Sequence, residues 1–125
     1  MTRALCVRLA LACIAAIVMS SCGGSAPPAT TSPIAQGEML ATRRGCAACH
    51  SANGNVGVGP TWKGLAGETV TLSDGSQVVA DAAYLTRSIR DPSAQVVRGF
   101  TTQMPQLALV DSEIAALVAY IESLR

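Results

Sequence analysis

Cys46-Ala47-Ala48-Cys49-His50 is the stretch that decides how this chain is read. C-x-x-C-H is the attachment signature for c-type haem. On a helical turn, positions i, i+3 and i+4 share one face, so both sulfurs and the imidazole can meet one flat ring. The two thiols add to the two haem vinyl groups, and His50 lies beneath the iron as an axial ligand. The competing readings of the five residues are weaker. A disulfide between Cys46 and Cys49 closes a very short loop and leaves His50 without a purpose. A structural zinc site wants four ligands, and this chain has only one histidine to set beside these two thiols. A thioredoxin-type redox pair expects a βαβ pattern nearby, and none is present. The expected cofactor is therefore one covalently attached haem c.

The rest of the composition agrees. The 125 residues allow one compact domain, and only 3% of them are aromatic, namely Trp62, Tyr84, Phe100 and Tyr120. So small a domain with so few large side chains is short of core, and a buried haem supplies the missing apolar bulk. The formal net charge is +1 with no basic run, which argues against a nucleic-acid partner.

The first residues read as a targeting segment. Arg3 and Arg8 form a positive n-region, and Leu9 to Met19 an apolar run too short to span a bilayer. Met19-Ser20-Ser21-Cys22 resembles the lipobox of bacterial lipoproteins, in which the cysteine receives a diacylglycerol and becomes the new N-terminus. Residues 1–21 are then a lipoprotein signal peptide, 22–33 a lipidated tether rich in Gly, Ser, Pro and Thr, and 34–125 the haem domain. The cysteines fit this division. Cys6 and Cys13 leave with the signal, Cys46 and Cys49 are taken by haem, and Cys22 takes the lipid. Loss of Arg3 and Arg8 takes the nine basic residues to seven against eight acidic ones, a net charge of −1. Strong long-range steering toward a charged partner is not indicated. The expected place is the bacterial cell envelope, held to a membrane by lipid on its periplasmic or outer face.

Along the domain, Ile34 to Arg44 reads as a first helix with Gly37, Leu40 and Ala41 on its packed side. The glycine-rich stretch Ser51 to Gly67 reads as a loop laid over a flat surface. Within it, the Pro60 carbonyl is the expected acceptor for the second ring N–H of His50, because ligating histidines usually donate that proton. Thr69 to Val79 alternates β-branched and polar residues around Asp74-Gly75 and predicts a hairpin with a two-residue turn. Asp81 is the expected N-cap of a helix over 82–90. Asp91-Pro92 reads as the start of another short helical turn, ended by Gly99. Asp111 to Leu124 is the strongest helix, with Ile114, Leu117, Val118, Ile121 and Leu124 in amphipathic spacing and the first helix as its partner.

A single histidine excludes paired-histidine ligation within the chain. Of Met39 and Met104, Met39 falls inside the first helix and reads as packing. Met104 lies in the Phe100–Leu109 loop, which can fold over the opposite face of the ring, and its thioether suits haem iron and raises its potential. Trp62, two residues after Pro60, reads equally as a residue at the haem edge or on a propionate and as core. Six-coordinate iron suits outer-sphere electron transfer. The alternatives are a haem enzyme or gas sensor with an open sixth position, and a fixed relay subunit of a larger redox complex. No second histidine or acid–base pair accompanies the motif, which favours a carrier over an enzyme.

Together these residues resemble the class I cytochrome c family over Ile34 to Arg125. Gly37, CAACH, Gly59-Pro60, Met104-Pro105 and Val118-Ala119-Tyr120-Ile121 fall in that family's order. The resemblance implies an all-α cytochrome c-like fold of three to four helices around one haem, here with a small β-hairpin insertion, and a crossing of the first and last helices at Gly37 and Tyr120. VGPTWKGLAG, the SDGS hairpin, YLTRSIRDP and VVRGF further resemble the haem domain fused to subunit II of some haem–copper oxidases. That likeness implies single-electron exchange with respiratory partners such as a quinol-oxidising complex or a terminal oxidase. Unlike that subunit, this chain shows no copper-binding domain ahead of the haem domain and no pair of membrane helices. Val110 also stands where many relatives carry a Ser or Thr cap, which leaves Asp111 to cap the last helix.

Overall fold

The computed structural model describes residues 31–125. The proposed signal, the Cys22 lipid site and nearly all of the tether lie outside them. Helix α1 spans Pro33–Arg43. Ser32 Oγ accepts from the Ala35 N–H at 3.2 Å, and Pro33 opens the helix where its missing N–H costs nothing. Gly45 then adopts φ +78°, a left-handed conformation that glycine takes at no steric cost, and turns the chain into a 3₁₀ turn at Cys46–Ala48.

Strands β1 (Thr69–Thr71) and β2 (Gln77–Val79) pair antiparallel with Val70 opposite Val78. The turn between them is longer than the two residues expected. Leu72 N donates to Ser76 O, and Gly75 N to Leu72 O, so Ser73, Asp74 and Gly75 form a three-residue loop with Gly75 left-handed at φ +92°. Asp74 Oδ1 accepts from the Ser76 N–H at 2.8 Å and secures that loop. Helix α2 spans Ala82–Arg90, and Asp81 caps it by accepting from Tyr84 N at 2.8 Å.

The helical turn expected after Asp91 is absent. Ala94 N reaches Asp91 O in a single turn, and Val97 then bridges to Leu72 in extended backbone while Ser73 N donates to Val96 O. The β-branched pair Val96-Val97 goes to the hairpin, which offers unpaired backbone groups that a solvent-facing helix would not.

Helix α3 spans Asp111–Ser123. Its cap also differs from expectation. Asp111 lies inside the helix, and the cap residue is Val110, whose N–H donates back to Glu113 Oε2 at 3.1 Å. An acid three residues into the helix thus does the work that a Ser or Thr would share. The same carboxylate takes the Arg44 guanidinium, joining the end of α1 to the start of α3.

Helices α1 and α3 cross in backbone contact. A Cβ placed on Gly37 would lie 2.0 Å from Ala116 O and 2.7 Å from Tyr120 Cβ. Gly37 and Ala41 are the buried residues of α1, while Met39 is 44% exposed and does not pack as expected, because the face that α3 covers is the small-residue one. The C-terminal end is tied in as well: Gly64 N donates to Leu124 O at 2.8 Å. Trp62, Leu72, Tyr84, Leu85, Ile114, Leu117, Val118 and Ile121 form the core with Ala41 and Ala80. Among the described residues no large side chain is below 2% exposure, and no helix is long and apolar enough to cross a membrane.

Two predictions test this frame. Replacing Gly37 by Ala gains about 1 kcal/mol of helix propensity but sets a methyl group against a carbonyl oxygen, an overpacking cost of about 1–3 kcal/mol or more. The clash wins, so thermal melting of the G37A protein should show a Tm lower by several degrees; an equal or higher Tm would refute backbone contact at this crossing. The second prediction concerns acid. The hydrogen bond from Arg44, then that from the Val110 N–H, holds the Glu113 carboxyl below its ordinary 4.5. Unfolding restores that value, so the stability from these contacts is complete at neutral pH and is lost as pH falls below about 4.5 through the folded value. Denaturant titrations should show E113Q less stable than wild type at pH 7, with the gap closing at pH 3.

Candidate functional site

The turn after Gly45 is closed by two bonds to one carbonyl: Cys49 N and His50 N both donate to Cys46 O, at 3.1 and 3.0 Å. This single turn brings Cys46, Cys49 and His50 to one cavity wall. Both thiols are free of disulfide. Burial pushes the Cys46 thiol up, opposed by a backbone hydrogen bond within its own turn and by the Arg44 charge. It therefore stays a neutral thiol at pH 7, the form whose S–H is consumed in adding to a double bond.

The imidazole of His50 is held on three sides. Its Nδ1 lies 2.8 Å from Pro60 O. A carbonyl can only accept, so Nδ1 carries a proton, and in the neutral ring the lone pair then lies on Nε2, where it can meet a metal. One side of the ring rests on Gly59, where a Cβ would lie 2.6 Å from His50 Cε1 and 2.9 Å from Nδ1. Only a residue without a side chain fits there. Trp62 stacks on His50 with ring centroids 5.1 Å apart and planes 12° apart, and meets Tyr120 edge-on at 6.0 Å. The loop that carries Pro60 is fixed by Gly59 N to Cys49 O, Trp62 N to Ser51 O, and Thr61 Oγ1 to Ser51 O.

Met104 enters the same cavity from the Phe100–Leu109 segment, which Gln106 ties to the end of α2 by donating to Arg90 O at 3.0 Å. Met39 is not on the wall. The structure thus brings Cys46, Cys49, His50, Pro60, Trp62 and Met104 to one cavity of about 480 Å³, within the range of about 300–1,000 Å³ usual for small-molecule sites. Trp62 lines the cavity and belongs to the core, at 7% exposure. Cys22 lies outside the described residues.

Two wall residues escaped the sequence reading. Ser88 Oγ and Gln95 Oε1 are buried with no hydrogen-bond partner. The available signal was Ser88 standing between Leu85 and Ile89 on the inner stripe of α2, a polar residue in an apolar row. A mostly apolar cavity with two thiols, a metal-ready imidazole, a thioether and two orphaned polar atoms fits a flat, hydrophobic cofactor that carries its own metal and a few polar groups. Among the described residues no cluster of three His, Cys, Asp or Glu side chains is placed to hold a bare metal ion.

Comparison with known proteins agrees. The family model for cytochrome c matches residues 34–125. Among solved structures, cytochrome cH from Methylobacterium extorquens is similar at 27% identity and a TM-score of 0.55, over 72% of this chain and 97% of that one. A search of the curated proteins gives no match. With three helices and one small antiparallel hairpin among its described residues, around a cavity walled by a C-x-x-C-H turn, the chain belongs to the cytochrome c family.

Proposed function

We propose that this protein is a monohaem electron carrier with His50 and Met104 as axial ligands, passing single electrons between membrane respiratory partners, toward a terminal oxidase. Membership of the family implies covalent c-type haem and an electron-carrying rather than enzymatic role. The observation that supports the finer reading is the Nδ1 bond to Pro60, which leaves Nε2 available to a metal in a cavity that also has Met104 on its wall.

Bound haem supplies a one-electron Fe(III)/Fe(II) couple. Cys46 and Cys49 would anchor it, and Pro60 and Trp62 hold the His50 ring in one orientation, so that little need rearrange when charge changes. The Met104 thioether would hold the iron against small ligands and would favour the reduced state. The wall excludes water with Leu85, Ile89, Phe100 and Leu117. The single C-x-x-C-H in the sequence supports one haem. The likeness of VGPTWKGLAG, YLTRSIRDP and VVRGF to an oxidase haem domain supports the choice of acceptor. The lipobox-like MSSC and the near-neutral charge of the remaining chain support a lipid-held carrier that docks with little electrostatic steering.

Absorption spectra of the full-length protein, purified in mild detergent, test the ligand set. The oxidised form should show the methionine–iron charge-transfer band, and the reduced form should not change on adding carbon monoxide. Rapid carbon monoxide binding without that band would remove Met104 from the iron. M104A should lose the band, gain carbon monoxide binding and have a lower midpoint potential. For the anchor, C22S should move the protein from the membrane to the soluble envelope fraction with its haem spectrum intact; unchanged membrane retention would count against lipidation.

A further inference from the structure

Ser88 Oγ and Gln95 Oε1 are orphaned on the cavity wall. Leaving a buried polar atom without a partner costs about 1–3 kcal/mol, so an apolar residue would serve better at either place if the wall met only hydrocarbon. Among the described residues none bonds to either atom. The Tyr84 hydroxyl, one turn before Ser88, comes near it without completing a hydrogen bond.

The polar periphery of a haem consists of its two propionate arms, on the edge of the ring opposite the vinyl groups. Cys46 and Cys49 fix the vinyl edge at the 3₁₀ turn, which packs against α1. Ser88 and Gln95 come from elsewhere. Helix α2 packs on α3, and the segment carrying Gln95 is held to the hairpin through Val96 O and the Leu72–Val97 bridge. Among the described residues, Arg44 is the one cation on the wall; it lies two residues before Cys46, at the vinyl edge, and is paired with Glu113. Arg98 turns toward the hairpin loop, with its guanidinium 3.4 Å from a Cβ at Gly75 and its charge acting on Asp74.

We infer that Ser88 and Gln95 hold a propionate arm of the bound haem by neutral hydrogen bonds, since among the described residues the wall offers that arm no unpaired cation. The Ser88 hydroxyl donates directly. The Gln95 amide donates after a half-turn that exchanges its nearly isosteric O and N. Both are positioning residues for the cofactor, and the inference rests on the covalent haem reading above.

The test uses the full-length haem-loaded protein with S88A, Q95L and the conservative S88T. A haemochrome spectrum first establishes covalent attachment, and its absence would overturn both readings together. With haem attached, S88A and Q95L should shift the propionate methylene proton resonances. They should also lower the midpoint potential at pH 8, because an ionised carboxylate stripped of donors stabilises Fe(III) more strongly. S88T should restore both values. Propionate resonances that ignore S88A and Q95L would overturn this assignment alone. A methionine–iron band that moves in S88A while those resonances stay fixed would place the hydroxyl on the Met104 sulfur and equally overturn it.

Discussion

The hydrogen bond from His50 Nδ1 to Pro60 O is the interaction on which the site depends. Its net worth to folding is only about 0.5–1.5 kcal/mol, yet it sets the tautomer, and the tautomer decides whether the imidazole can face a metal at all. The bond also fixes how the ring lies. A histidine held this way needs bare backbone along one side, which Gly59 gives it, and a flat partner, which Trp62 gives it. The hydrogen bonds of the Ser51–Thr61 loop exist to bring those residues to the place where the C-x-x-C-H turn delivers the ring.

Packing elsewhere follows from a core that is incomplete on its own. Two helices touch backbone to backbone at Gly37 and Ala116, which is as close as helices come, and α2 closes on α3 from another side. What these elements enclose is not filled by protein. The cavity takes the position that a larger domain would give to Phe, Trp and Leu side chains, so the cofactor would be core as well as chemistry. Loss of haem should therefore be felt in stability as strongly as in redox function.

Much of this was legible in the residues because the chemistry demands fixed spacing. CAACH, the Asp81 cap, the amphipathic α3 and the close-approach glycine at 37 each carry a local requirement that no tertiary contact can rewrite. Legibility failed where a neighbour made the decision. The hairpin turn took a third residue because Gly75 could adopt a left-handed conformation. The helical turn after Asp91 gave way because the hairpin had backbone to offer Val96 and Val97. Asp111 lost the cap to Val110 because Glu113 could reach back to the cap N–H while also holding Arg44. Met39 had the pattern of a packed residue, but the helix buries its small face. Ser88 shows in the sequence only as a polar residue in an apolar row and Gln95 not at all, and the cavity makes both conspicuous.

The hydrogen bond between Gly64 N and Leu124 O carries a consequence for the order of assembly. The loop that carries Pro60 and Trp62 is tied at Gly64 to the residue that ends α3, and α3 must be present before α1 has anything to cross. A chain emerging from its N-terminus therefore presents both thiols and the imidazole long before it can shut the pocket around them. Through that interval the two thiols and the imidazole stand open, and the pocket can close only once α3 is in place.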